Sequence, residues 1–233
     1  MKAAQPGIER IFSWSALDER SRVALIVTFV LAVSIAPTVG QSVETGWVSV
    51  ESGTEVDLNA AVVSGNEVWA FGDSGVAIFS TDGGLTWSTH ASLGESDLIA
   101  ADSLEDSIAV LAADGIVHLR VGLDGEWQQL DSMTLGMAGI ALTGDESLVL
   151  VGDAGVVMEF SNGMWNDRTS AFTEDLNDVA FYGGDDGFAV GDSGTILATT
   201  DGGATWDYRE APAGAQDASI VSVEFFNPYR MFA

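Results

Sequence analysis

The residues most suggestive of chemistry are Gly72-Asp73-Ser74-Gly75, a setting for a nucleophilic serine, repeated at Gly191-Asp192-Ser193-Gly194. A serine nucleophile needs a base within hydrogen-bond reach, most often a histidine held by a third group. The 233 residues include only His90 and His118 and no cysteine, which removes thiolate chemistry and disulfides. Neither histidine stands in an equivalent place beside the two serines. A third copy of the tetrapeptide carries Ala154, and a fourth reads as a shortened Ala113-Asp114-Gly115. A nucleophile has no reason to recur in two units and be alanine in another, whereas Gly-Asp-x-Gly suits a tight hairpin. Ser74 is read as a turn residue, and no catalytic residue is assigned.

Carboxylates are abundant. The chain has 35 acidic and 8 basic residues, for a net charge of −27, and residues 41–233 hold 32 acidic against 4 basic side chains. Such a surface repels nucleic acid and anionic headgroups, so no nucleic-acid partner is expected. With a single lysine, the balance fits adaptation to salty surroundings, where screening relieves self-repulsion, and equally an ordinary acidic solubility surface. One acidic series is regular. Asp73, Asp114, Asp153 and Asp192 are separated by 41, 39 and 39 residues. These are either turn aspartates bonded to their own backbone, or an acidic rim that attracts cations or a basic partner segment. Gly183-Gly184-Asp185-Asp186-Gly187 reads as a hairpin turn, since it lacks the alternating oxygen ligands of a calcium loop. No metal or cofactor is expected.

The elements that position these residues follow from a second series in step with the first. Trp47, Trp87, Trp127, Trp165 and Trp206 are separated by 40, 40, 38 and 41 residues. A period near 40 points to propellers or helical arrays. Runs of four to seven residues rich in Val, Ile, Phe and Trp, punctuated by Gly, Asp and Asn, decide for strands. The unit reads Asp57–Val63, Glu67–Gly72, Val76–Thr81 and Thr86–Ala91 as four strands, repeated three more times. Four short antiparallel strands about a ring describe a β-propeller blade. The expected architecture is therefore all-β, with four complete blades and a partial blade at each end. The last repeat starts at Ser219 and stops where its third strand is due, which reads as truncation.

Residues 23–40 are uncharged, and Val23 to Val39 is 17 residues, the short end of a helical bilayer span. Lys2, Arg10, Arg20 and Arg22 precede it and no basic residue follows until Arg120, which places the N-terminus in the cytoplasm and the rest outside. Residues 1–22 then form a cytoplasmic leader, 23–40 a transmembrane anchor and 41–233 an exported propeller. A cleaved signal peptide is the rival reading, and the long leader favours the anchor.

Ser80-Thr81-Asp82-Gly83-Gly84-Leu85-Thr86-Trp87 fits the Asp-box pattern, with Ser80, Asp82, Gly84, Thr86 and Trp87 at its defining positions. Thr199, Asp201, Gly203, Thr205 and Trp206 repeat it. The aspartate can accept from following backbone N–H groups, glycine supplies positive φ, and tryptophan offers an apolar face to the neighbouring blade. Gly187 to Trp206 resembles a repeat of the photosystem II assembly and stability factor family, within the wider group of BNR-repeat propellers. The resemblance covers roughly residues 46–233. It implies a non-enzymatic, membrane-associated scaffold that holds a protein client, such as a membrane-protein segment. Photosynthetic members are described as using a basic patch, whereas here Arg120, Arg168, Arg209 and Arg230 are scattered among carboxylates, so only the propeller and the general scaffold role are carried over. Sialidases share the Asp-box and supply the alternative, a glycoside hydrolase or carbohydrate-binding propeller. Their chemistry implies an arginine cluster and a tyrosine nucleophile. Tyr182, Tyr208 and Tyr229 are present, but the arginines fall at different places in their repeats.

Overall fold

The computed structural model describes residues 49–132, 134–169, 171–227 and 230–232. The expected anchor and Trp47 lie outside the described residues. Among those described, no helix is long and apolar enough to cross a membrane.

Four four-stranded antiparallel sheets follow one another along the chain. Blade I holds β1 (Leu58–Ser64), β2 (Glu67–Gly72), β3 (Ala77–Ser80) and β4 (Ser88–Thr89). Blade II holds β5 (Leu98–Leu104), β6 (Ser107–Ala112), β7 (Ile116–Arg120) and β8 (Gln128–Asp131). Blade III holds β9 (Met137–Gly144), β10 (Ser147–Gly152), β11 (Val157–Ser161) and β12 (Met164–Asp167). Blade IV holds β13 (Leu176–Tyr182), β14 (Asp186–Gly191), β15 (Ile196–Thr199) and β16 (Asp207–Arg209). A two-stranded sheet, β17 (Glu224–Asn227) and β18 (Arg230–Phe232), continues the repeat. The only helical turns among these residues are three-residue 3-10 turns between the second and third strands of blades I, III and IV.

The burial pattern explains why blades stack. Every residue of β6 is buried, as are all but the first of β2 and β10. A strand covered on both faces reads as a continuous apolar run instead of an alternating one. The outermost strands are mostly exposed. This is why β4 spans only Ser88–Thr89 where the sequence suggests Thr86–Ala91: an outer strand pairs on one side only, and Thr86 is bonded into the preceding turn.

First strands of successive blades, β1, β5, β9 and β13, lie side by side and line the inside of the arc. Apolar clusters fill each gap between blades, and in each the tryptophan of the later blade packs toward the earlier one. Trp127 joins Trp69 and Phe71 of blade I, Trp165 joins the cluster with Leu119 of blade II, and Trp206 joins that with Val149 of blade III.

Candidate binding site

Up-and-down connectivity sorts the loops onto two faces. The turns between second and third strands share one face with the connections between blades. The Asp-box turns share the other with the turns between first and second strands. On the first face Ser74, Ala154 and Ser193 have φ of 54°, 56° and 54°, each followed by a glycine with positive φ. Two consecutive residues of positive φ make the type I′ geometry that matches strand twist. Val76, Val156 and Thr195 each donate back to the carbonyl of Asp73, Asp153 and Asp192. Gly75 cannot be replaced cheaply, since a Cβ there would lie 2.3 Å from the Gly94 carbonyl oxygen. Ser74 thus sits at the tip of a hairpin, with its own N–H given to the Asp97 carboxylate at 2.9 Å.

All four aspartates of the regular series lie on this face, in two different settings. Asp73 accepts from Asn59 Nδ2 at 2.9 Å, and the same amide reaches the Leu98 carbonyl of blade II at 3.1 Å. Asp192 repeats this with Asn177 at 3.1 Å, which also reaches the Ile220 carbonyl at 3.0 Å. Hydrogen bonds from Ser219 and then Asn177 hold the Asp192 carboxyl below its ordinary range. Asp153 and Asp114 are exposed, and of their two carboxylates only that of Asp114 accepts a bond from its own turn among the described residues, from the Ile116 N–H at 3.1 Å.

Strand register places Asp114 one residue later than its apparent counterparts. Leu58 pairs with Gly72, Leu98 with Ala112, Met137 with Gly152 and Leu176 with Gly191, so the residue matching Asp73 in blade II is Ala113. Ala113 also makes the matching backbone bond, to the Asp97 carbonyl. The blade II turn is as long as the others and is not shortened. It closes from Gly115 N–H to the Ala112 carbonyl, which lets Asp114 keep an ordinary φ while Gly115 takes +84°.

Sequence reasoning missed the carboxylates that join blades. Asp97 bonds the Ser74 N–H, and Asp175 bonds the Ala154 N–H at 2.7 Å, each from the start of the following blade. Their only signal is an aspartate directly before the first leucine of a blade, as also at Asp57-Leu58. Further inside, Asp102 of β5 accepts from the Leu142 N–H of β9 at 2.7 Å and from the Ser103 N–H at 2.8 Å. Asp178 of β13 accepts from Val223 N–H at 2.8 Å and the Ser222 hydroxyl at 2.9 Å. Burial pushes the Asp102 carboxyl up to about 6 against the pull of its two N–H donors, with the charges of Glu224 and Asp178 adding to the rise. Burial raises Asp178 as well.

On the opposite face the two Asp-boxes repeat the same cage of hydrogen bonds. The Ser80 hydroxyl donates to Asp82 at 2.8 Å and accepts from the Gly84 N–H at 2.8 Å; Thr199 does the same with Asp201 at 2.8 Å and Gly203 at 3.0 Å. Asp82 then accepts from the Thr86 N–H at 2.9 Å and its hydroxyl at 2.7 Å, and Asp201 from Thr205 at 2.9 and 2.6 Å. These donors, the Thr86 hydroxyl first, hold Asp82 down to about 2, and the Thr205 hydroxyl lowers Asp201 in the same way. Trp87 and Trp206 donate their indole N–H to the Gly84 and Gly203 carbonyls at 3.1 and 2.9 Å. Blade III replaces the cage with a two-residue turn, Asn162-Gly163, both at positive φ.

The three arginines whose side chains are described do not converge. Arg120 pairs with Glu67 at 2.9 Å, Arg168 with Glu159 at 2.8 Å and Arg209 with Asp207 at 3.8 Å, in three separate places. Gly183 to Asp185 is the hairpin between β13 and β14, with Tyr182 paired to Asp186. Among the described residues no three His, Asp or Glu side chains are grouped to hold a metal ion.

The family model for the photosynthesis system II assembly factor YCF48 matches residues 157–230, from β11 through blade IV to β18. The photosystem II assembly lipoprotein Ycf48 of Prochlorococcus marinus is 35% identical over 66 residues, covering 28% of this chain and 20% of that protein. The chain therefore matches a fifth of the length of that relative. Among solved structures, YCF48 from Cyanidioschyzon merolae is similar with a TM-score of 0.59 at 13% identity, over 78% of this chain and 67% of that one. U3-55K also gives 0.59 at 13% identity, over 72% and 57%, so at this identity the likeness shows the fold alone. With the register, the Asp-box cages and these matches together, the chain is an Asp-box (BNR) repeat β-propeller that resembles the photosystem II assembly factor family.

Proposed function

We propose that this chain is a non-catalytic, protein-binding propeller of the assembly-factor kind, held at a membrane by residues 23–40 with the blades outside the cytoplasm. The match of residues 157–230 to an assembly-factor model is the observation that carries this reading. The face bearing the type I′ turns is the working surface. It gathers every connection between blades, including Glu210 to Ala218, and loops on a rigid frame can vary without disturbing the sheets. Of the regular series, Asp114 and Asp153 are exposed and on neighbouring blades, and they add to the exposed carboxylates Glu95, Glu210 and Asp217 of the same face, while Asp73 and Asp192 are committed to asparagine clamps. The occupant that suits such a surface is a cationic segment of a membrane protein, drawn by a charge attraction that salt screens. The test is co-isolation from native membranes with the full chain and with Asp114→Asn/Asp153→Asn. Partners recovered by the wild type at low salt, and lost from the variant or at high salt, support the reading. Equal recovery in all arms contradicts the acidic surface, and turnover of a sialoside or peptide by the purified chain contradicts the non-catalytic role. Membrane retention after an alkaline wash, lost when residues 1–40 are deleted, tests the anchor.

A further inference from the structure

The gap between blades II and III lacks a clasp that the gaps on either side of it have. In each blade the carbonyl just before the first strand accepts from the turn between the second and third strands. Asp57 accepts from the Asp73 N–H, Asp97 from Ala113, Gly136 from Asp153 and Asp175 from Asp192. Gly136 is therefore the counterpart of Asp57, Asp97 and Asp175. The Asp97 and Asp175 carboxylates also reach back to the turn of the previous blade, at the Ser74 and Ala154 N–H groups. The matching N–H in blade II is that of Asp114, and Gly136 has no carboxylate to offer it. Among the described residues the Asp114 N–H makes no hydrogen bond.

What this gap presents instead is a leucine. Leu135 is 74% exposed, more than any other large apolar side chain described. In the connection between blades I and II Leu93 is buried, and in that between blades III and IV Phe172 stacks on Tyr208 at 5.1 Å. The mount of Leu135 is tied down on both sides. The buried Ser132 hydroxyl donates to the Gly115 carbonyl at 2.7 Å, and a Cβ on Gly115 would run into the Thr134 carbonyl, so the blade II turn is packed against one flank. On the other flank the Gly136 carbonyl accepts from the Asp153 N–H at 2.9 Å, and a Cβ on Gly136 would run into the Asp153 carboxylate. The open carboxylates Asp114 and Asp153 thus stand on either side of Leu135. They select what can cover it. An acidic segment is repelled, and a purely apolar one would strip water from two unpaired charges. A segment with an apolar side chain between two basic ones meets all three groups. In an extended chain residues i, i+2 and i+4 share a face, and a backbone carbonyl of the same segment can accept the Asp114 N–H.

We propose that the junction of blades II and III docks an extended protein segment in which an apolar residue lies two positions from a basic residue on each side. The apolar side chain covers Leu135, and the basic ones meet Asp114 and Asp153. This rests on the protein-binding role proposed for the same face, and adds the pattern its partner must carry. The experiment is fluorescence polarisation with the full chain in a nonionic detergent at low salt. The probes are capped, labelled peptides centred on Lys-Ser-Leu-Ser-Lys, Lys-Ser-Ser-Ser-Lys and Glu-Ser-Leu-Ser-Glu. The first is expected to bind with a dissociation constant of about 0.1 mM, the second about tenfold more weakly, and the third not measurably. Leu135→Ser should bring the first peptide down to the level of the second. Asp114→Asn/Asp153→Asn should weaken both, and Leu85→Ser on the opposite face should change neither, all with unchanged circular dichroism spectra. Equal binding of the two lysine peptides, or a leucine preference that survives Leu135→Ser, overturns the leucine anchor and leaves the acidic surface standing. The glutamate peptide binding as tightly as the first overturns the charge pattern and makes Leu135 a plain apolar contact. No binding of either lysine peptide overturns this proposal and the acidic surface together.

Discussion

Asn59 and Asp73 are joined across 14 residues by a 2.9 Å hydrogen bond, and the same asparagine amide holds the first strand of the next blade through the Leu98 carbonyl. One side chain thus fixes a turn and the position of a neighbouring sheet. The arrangement recurs 118 residues later in Asn177, Asp192 and Ile220. Aspartates that look equivalent in the repeat therefore divide by role, clamped in blades I and IV and open in blades II and III.

Asn177→Ala is expected to destabilise the propeller by about 1–2 kcal/mol, because it leaves the Asp192 carboxylate and the Ile220 carbonyl without a half-buried donor. Asn177→Asp should cost more, since it sets a second carboxylate beside Asp192. Urea unfolding of the two variants checks both, and equal stability to wild type would show that the clamp is incidental.

The Asp-box hydroxyls make a sharper case. Thr199→Val keeps shape but strips the partner from the buried Gly203 N–H, and is expected to cost about 1–3 kcal/mol. By contrast Ser74→Ala should be neutral, as Ala154 already fills that turn position in blade III, whereas Ser74→Val forces a β-branched residue to φ near 54° and should cost about 1–2 kcal/mol. Thermal melts of the three variants decide whether the order holds.

The propeller was legible because tryptophan, glycine and aspartate repeat as residue types at positions where each blade needs the same geometry. The clamps were not, because Asn59 and Asp73 become partners only when register puts them at one end of the sheet. Nor could spacing alone show that Asp114 is displaced. Both turns have the same length, and only the backbone pairing of Ala112 and Ala113 reveals which residue matches Asp73. Arg120 and Glu67 meet across 53 residues through the stacking of two blades, a contact no local pattern encodes.

The inner strands carry a pH dependence. The Asp102 carboxyl is raised to about 6 in the folded chain, so folding takes up a proton between that value and the ordinary carboxylate range near 4. Its contribution is greatest below the unfolded pKa and is lost as pH rises through 6. Stability is expected to increase on going from pH 7.5 to 4.5, with Asp102 accounting for something on the order of 2 kcal/mol. Asp178 acts in the same direction, while Asp82 and Asp201, both lowered, withdraw stability only as pH falls further. Melting curves of wild type and Asp102→Asn across this range check the point. Asparagine cannot serve both N–H donors, so the variant should be weaker at every pH and have a flatter profile.

The most direct test of the binding account is site-specific photocrosslinking in native membranes. Photoreactive residues are placed at Glu95 and Ala213 on the face of the inter-blade loops, and at Leu85 and Met164 on the Asp-box face, all four exposed. The account predicts discrete protein adducts from positions 95 and 213, diminished by high salt, and none from 85 and 164. Adducts confined to 85 and 164, or no adduct from any position, would contradict it.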